Sequence, residues 1–385
     1  MNAPASLLSC FAIVAPGLEP FALAEAQALG LNATAEEGGI AWTGDAESAL
    51  MANAALRIAS RVLVRLCSFE ARTFAELERH ARKIEWSRVL RAGDAVRFRV
   101  TCKKSKLYHS DAVAQRLADA VVRAIPGVRA EGGSITEDEI DDVDADVSLI
   151  VVRFMRDRCT VSADSSGALL HRRGYRQATA KAPLRETIAA AMLVAAEWDK
   201  TSPLVDPLCG SGTIPIEGAL MARRIAPGAQ RRFAMERWPT VSPSLGVRVR
   251  GVLEDRATPS VQALIVGSDR DAGAIAAATS NAERAGVLGD ISMAIHSLTA
   301  ASFPAASRGW VVTNPPYGVR VGEEDRVRDL WAQLGNVLRE RASGWRVALL
   351  SPDTALERQL RMPLRAAASL SNGGIPVRIM VGDVP

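Results

Sequence analysis

From about Thr187 onward, hydrophobic and polar positions alternate in long and short blocks. Apolar residues at helical spacing in ETIAAAMLVAAEW give way to the short run PLVDPL, then to the helix TIPIEGALMARRI, the strand ALIVGSD and the helix AGAIAAATSNAERAG. The short strand ISMAIH, the strand GWVVTNPP, the helix EDRVRDLWAQLGNVLRERA and the strand GWRVALLSP follow, and an irregular tail is expected after them. Apolar strands alternating with helices predict an α/β domain over 187–385 built on a doubly wound parallel sheet. Such a sheet holds ligands beyond the carboxyl ends of its strands, where the strand order reverses.

The first half reads differently. SLLSCFAIVAPG opens as a strand, RIASRVLVRLCSFEA and DAVRFRVTCKK carry β-branched or alternating runs, and VSLIVVRFMRD with RCTVSAD reads as a strand pair. EPFALAEAQALG, FAELERHARKI and SDAVAQRLADAVVRAI have helical spacing. This order predicts an α+β module, expected as two small sheets each covered by helices, with one part over 1–60 and a second over 61–165. Between Glu131 and Asp146 stand eight acidic residues and no basic one, the composition of a solvated loop. From Val151 to Arg185 eight Lys and Arg face only Asp157 and Asp164, so 166–186 is expected as a basic linker.

Composition narrows the class. With 48% hydrophobic and 23% charged residues the chain is globular, and its 385 residues favour more than one domain. Cys10, Cys67, Cys102, Cys159 and Cys209 form no C-x-x-C, and the four histidines form no H-x-x-x-H pair, so neither a disulfide framework nor a metal site is expected. The N-terminal apolar run has no basic residue before Arg57 and is broken by Pro16, unlike a signal peptide, and no stretch is long enough to span a membrane. The expectation is a cytoplasmic protein, a monomer by preference.

Chemistry collects at the strand ends. After PLV come Asp206, Pro207, Leu208, Cys209, Gly210, Ser211, Gly212 and Thr213, leading into a helix. No Lys-Ser/Thr follows, so this is not a P-loop, and Pro215 stands where a dinucleotide fingerprint has its third glycine. An acid ahead of the glycines repels a pyrophosphate but suits a sulfonium and an α-ammonium, as in S-adenosylmethionine. The next strand ends in Asp269, placed to hold two ribose hydroxyls, whereas Asp271 reads as a helix cap.

The strand GWVVT then delivers Asn314-Pro315-Pro316-Tyr317. Two prolines stiffen the loop and remove two N–H donors, leaving carbonyls that can face a substrate. Asn314 can accept one hydrogen of an exocyclic amine and a neighbouring carbonyl the other. Those two acceptors localise a lone pair that is otherwise delocalised into the ring, which is catalysis by positioning and electrostatics. Tyr317 offers a face for an extruded base, typically worth about 1–3 kcal/mol.

Together, DPLCGSGT, GSD, TNPPYGVR and LLHRRGYRQATAKAPLRETIAAAML resemble the class I RNA guanine-N2 methyltransferases that carry an N-terminal THUMP domain. IAPGAQRRFAMERWP, SNGGIPVRIM and RFRVTCKKSKLYHSDAVAQRLADAVV resemble that family too, the last of them its THUMP core. The resemblance implies a ferredoxin-like subdomain, a THUMP RNA-binding subdomain and a Rossmann-like catalytic domain using S-adenosylmethionine. It further implies that the glycine turn and Asp206 take the methionine end, Asp269 the ribose, and Asn314 and Tyr317 the guanine, with Leu184 and Glu186 closing over the cofactor. Where the family has an acid for the adenine amino group, this chain has His296-Ser297, leaving Ser297 as the adenine-side candidate.

Two basic clusters agree with a structured RNA partner: Arg172, Arg173, Arg176, Lys181 and Arg185 in the linker, and Lys103, Lys104 and Lys106 beside Tyr108 and His109. The expected activity is methyl transfer to guanine N2, in 23S rRNA by preference and the tRNA acceptor stem as the alternative. A DNA adenine-N6 or protein glutamine methyltransferase would share the NPPY chemistry, and a non-catalytic RNA-binding protein could keep the fold.

Overall fold

The computed structural model describes residues 7–136, 139, 146–177, 184–317 and 324–385. The first half forms one continuous eight-stranded sheet, not two small ones, in the order β2-β3-β1-β4-β8-β7-β5-β6. Its strands are β1 (Leu8–Ile13), β2 (Thr34–Glu36), β3 (Gly39–Gly44), β4 (Arg61–Glu70), β5 (Ala95–Lys103), β6 (Arg129–Ser134), β7 (Val147–Met155) and β8 (Arg158–Asp164). The join is β4. It is long enough to pair with β1 through Arg61–Arg65 and with β8 through Leu63–Glu70, with an irregularity between Arg65 and Cys67 that lets it change direction.

Alternation shows which side is packed. In β5, Val96, Phe98 and Val100 are buried while Arg97, Arg99 and Thr101 are only half-buried. The buried set joins Leu50, Leu77 and Leu117 from helices Ala46–Ala55, Phe74–Ala81 and Ser110–Ala124 in one apolar core. Helix Phe74–Ala81 begins at a capping box, Thr73 with Glu76, and helix Ala46–Ala55, whose alanine-rich sequence carries no clear period, begins at Asp45.

The second half is a seven-stranded sheet in the order β11-β10-β9-β12-β13-β15-β14. It comprises β9 (Leu204–Asp206), β10 (Ile265–Asp269), β11 (Ile291–Ile295), β12 (Trp310–Thr313), β13 (Arg346–Ser351), β14 (Leu364–Asn372) and β15 (Ile375–Asp383). The expected irregular tail is instead the β14–β15 hairpin, antiparallel to β13. Its small residues, Ala366 through Ser369, obscure the strand period because Ala packs in helices equally well. β9 lies between β10 and β12 in parallel, pairing Leu204 with both Ile265 and Trp310. Strand order reverses there, which makes the carboxyl end of β9 the ligand crevice.

The halves share a core. Gly228 N–H donates to the Ala54 carbonyl, the Arg57 guanidinium donates to the carbonyls of Leu220 and Ile225, and Arg61 and Asp164 form a buried ion pair at the junction. None of the described helices is long and apolar enough to cross a membrane.

Candidate active site

Three loops meet at the carboxyl edge of β9, β10 and β12. Asp206 ends β9 and is buried; its Oδ1 accepts from the Thr313 hydroxyl at 2.7 Å and from Leu208 N–H at 3.2 Å. Burial pushes its carboxyl up to about 7, against the pull of those two donors, and the nearby Asp269 adds to the rise. Thr313 is the residue before Asn314, so this bond ties the Asn314–Tyr317 loop to the glycine turn. Asp269, half-buried, braces the same turn by accepting Gly210 N–H at 3.1 Å on Oδ2, and takes Asp271 N–H at 3.0 Å on Oδ1. Each carboxylate oxygen keeps a further lone pair for a hydroxyl.

The turn needs its glycine. Gly212 is the N-cap of helix Thr213–Ala222 at φ 82°, and a Cβ there would lie 2.9 Å from the Ala278 Cβ. Pro207, Cys209, Ser211 and Thr213 are buried around it, with Cys209 N–H donating to the Ser268 carbonyl at 2.9 Å. Burial, with Asp206 and Asp269 nearby, pushes the Cys209 thiol well up, which disfavours its thiolate. Asn281, buried on helix Ala272–Arg284, donates to the Ser211 carbonyl at 3.0 Å. Its place mid-helix gives no sequence signal for that role.

The NPPY loop is held from both sides. Trp331, fully buried, donates its indole N–H to the Pro316 carbonyl at 3.1 Å, and Asn372 in the β14–β15 turn donates to the Tyr317 hydroxyl at 2.7 Å. Pro316 therefore spends its carbonyl on the scaffold. No hydrogen bond from a described residue ends on the carbonyl of Pro315. Asn314 Oδ1 is buried with no hydrogen-bond partner among the described residues. A buried acceptor left unpaired costs on the order of 1–3 kcal/mol, a price met where a ligand donates to it.

The linker's basic run divides. Arg172 is exposed, but Arg173 is buried, lying 3.5 Å from Glu217 and donating to the carbonyls of Leu170 and Arg57. Arg173 thus departs from its expected role at the RNA surface: a wholly buried Glu217 captures it. Arg176 is also largely buried, ion-paired with Glu186 at 3.2 Å and donating to Thr213 Oγ1 and the Leu184 carbonyl at 2.7 Å each. It anchors Leu184 and Glu186, both buried, against the head of helix Thr213–Ala222, instead of facing a phosphate. Burial pushes the Glu186 carboxyl up, opposed by Arg176. Lys181 lies outside the described residues. Ser297 is exposed at the end of β11, its hydroxyl 3.1 Å from that of Thr299. Lys103, Lys104 and Lys106 are exposed at the far end of β5, with Tyr108 67% exposed beside them.

These residues fit S-adenosylmethionine. Asp206 is a buried acid with no cationic side chain among its described partners, Asp269 has acceptor capacity to spare, and Asn314 Oδ1 awaits a donor. Among the described residues, no group of three His, Cys, Asp or Glu side chains could hold a metal.

Residues 173–379 match the family model described as the RMKL-like methyltransferase domain, and residues 9–63 match the RlmL ferredoxin-like domain. The chain is 34% identical over 373 residues to the "Putative RNA methyltransferase slr0064" of Synechocystis sp., covering 96% of this chain and 95% of that protein. It is 33% identical over 395 residues to the ribosomal RNA large subunit methyltransferase K/L of Syntrophotalea carbinolica, covering 100% of this chain but 54% of that protein. The chain thus spans about half the length of the K/L relatives it matches. Among solved structures, SMU.472, described as "a putative methyltransferase complexed with SAH", superposes with a TM-score of 0.87 at 28% identity, over 100% of this chain and 99% of that one. The chain belongs to the RMKL-like methyltransferase family, whose cofactor is S-adenosylmethionine.

Proposed function

We propose that this chain transfers a methyl group from S-adenosylmethionine to the exocyclic N2 of a guanine in a structured RNA, with large-subunit ribosomal RNA as the substrate. The observation that carries the reading is the unpartnered Asn314 Oδ1 at the end of β12. It is an acceptor waiting for an N–H donor, one residue from the threonine bonded to Asp206. Asn314 Oδ1 and the Pro315 carbonyl receive the two amine hydrogens and turn the nitrogen lone pair out of the ring plane. The cofactor, when bound, would supply an electrophilic methyl to that nitrogen, its sulfonium leaving as the neutral thioether of S-adenosylhomocysteine and the surplus amine proton passing to solvent. Asp206 and the glycine turn hold the methionine end, Asp269 the ribose, and Tyr317 lies against the base.

Support for RNA comes from relatives named as RNA and ribosomal RNA methyltransferases and from the exposed Lys103, Lys104 and Lys106, which offer charge to a phosphate backbone. The N-terminal module, a ferredoxin-like part followed by a THUMP-like part over 61–165, docks the folded RNA while the catalytic domain takes the extruded base.

The test is incubation with tritiated S-adenosylmethionine and unmodified RNA, separated into rRNA and tRNA and digested to nucleosides. Label in N2-methylguanosine is the expected result, its fraction naming the substrate; label in another nucleoside, or in DNA or protein only, overturns the reading. Asn314→Ala is expected to lower kcat by about 100- to 1000-fold, the usual cost of one transition-state hydrogen-bond partner, with cofactor affinity nearly unchanged by calorimetry. A large loss of cofactor affinity would place Asn314 in the wrong role.

A further inference from the structure

The β14–β15 hairpin does more than close the sheet edge. β15 pairs with β13 only as far as Arg378 opposite Ser351, the last residue of β13. The tip of the hairpin therefore runs on past the carboxyl edge, over the site. At that tip Asn372 is half-buried and bonds the Tyr317 hydroxyl at 2.7 Å, joining residues 55 positions apart.

We propose that Asn372 is a positioning residue of the transfer site: from the hairpin turn it holds the Tyr317 hydroxyl and so fixes the ring against which the acceptor base lies. The proposal rests on the base-binding role given to Tyr317 above. The Pro315-Pro316 pair stiffens the backbone but does not itself set the Tyr317 rotamer, and the half-buried ring packs only partly against the two apolar cores. A hydroxyl tether fixes what that packing leaves open. The phenolic oxygen lies on the axis of ring rotation, so the bond sets the direction of the ring's long axis.

The tether is anchored at both ends. Behind Asn372, Gly373 and Gly374 have φ of 58° and 82°, the left-handed pair of a tight hairpin turn. A Cβ on either would meet nothing within 4 Å, so glycine is required there by the backbone and not by crowding. Further down the hairpin, Leu370 and Val377 enter the core shared with the N-terminal module. A Cβ on Gly17 would lie 2.0 Å from the Ser369 carbonyl oxygen, which shows how closely the β1 exit loop seats against β14. The module expected to dock RNA thus also braces the strand that carries Asn372.

The test compares wild type, Asn372→Ala, Tyr317→Phe and the double variant. Each single change is expected to lower kcat/KM toward RNA about three- to tenfold, the range of one modest hydrogen bond. The double variant should be no worse than either single one, with cofactor Kd and Tm unchanged throughout. Additive losses, or full activity in Asn372→Ala, overturn the proposal. A second readout does not depend on substrate. The chain has three tyrosines, so labelling at the ring Cζ alone gives three signals, and the one that Tyr317→Phe removes should shift in Asn372→Ala. A Tyr317 signal that stays put overturns the tether. Should the wild-type chain transfer no methyl to RNA, the RNA reading falls while the ring signal still decides the tether.

Discussion

Two basic clusters that read alike along the chain do opposite things in the fold. Arg173 and Arg176 in the linker are buried against Glu217 and Glu186 at the junction of the two halves, whereas Lys103, Lys104 and Lys106 stand exposed beyond β5. The difference lies in their neighbours. The linker crosses a surface bearing buried carboxylates, and a buried carboxylate demands a cation with several fixed donors, which guanidinium supplies. The lysines sit on the turn that ends β5, bonded through backbone to the Arg156-Asp157 turn, and their exposed side chains stay hydrated.

The largest break in this comparison is expected from Arg173→Ala. It strands Glu217, which is wholly buried, and should cost about 3–5 kcal/mol in denaturant unfolding. Arg173→Met combined with Glu217→Gln should recover most of that loss, since the Tyr175 hydroxyl can still donate to the amide oxygen. Were Arg173 a phosphate contact, its removal would leave stability alone and weaken RNA binding instead.

Asp206 tests a buried charge away from the junction, at the carboxyl end of β9. Its carboxyl, near 7 in the folded chain and near 3.8 as the ordinary value, binds more protons folded than unfolded between those limits. Ionised Asp206 therefore destabilises the unliganded protein increasingly as pH rises from about 4, and fully above about 7. Asp206→Asn, which keeps an acceptor for Thr313, should raise Tm at pH 8, and the gain should vanish toward pH 4. A cationic cofactor favours the ionised form, so wild-type affinity should rise with pH through about 7, and Asp206→Asn should flatten that rise. A pH-independent affinity in the wild type would remove Asp206 from contact with the cofactor's positive end.

The smallest effect on the fold is expected from the exposed cluster. Lys103, Lys104 and Lys106 changed together to Ala should leave Tm within experimental error. They should also reduce the slope of log K against log salt for RNA binding by about 2–3 units, close to one per lost phosphate contact. An unchanged slope would make the cluster a solvated face.

Much of the site was legible because it lies in short contiguous motifs. Asp206 through Thr213, Asp269 and Asn314 through Tyr317 are each read at a strand end, and each strand ends where its apolar run does. What escaped were the partners that arrive from elsewhere: Thr313 to Asp206, Asn281 to Ser211, Trp331 to Pro316 and Asn372 to Tyr317. A mid-helix asparagine or tryptophan looks the same in sequence whether it fills the core or braces a loop. The β14–β15 hairpin escaped for a related reason, since its alanines satisfy either period.

The sequence alone determined the α/β alternation, the doubly wound sheet and the candidate substrate loop, because local period and turn chemistry are written in adjacent residues. Tertiary structure alone decided which charges are buried, which carbonyl of the Pro-Pro pair the scaffold leaves unbonded, and that β4 fuses the N-terminal strands into one sheet. Those outcomes depend on strand register and on desolvation by distant segments, and neither is a property of any short stretch of chain.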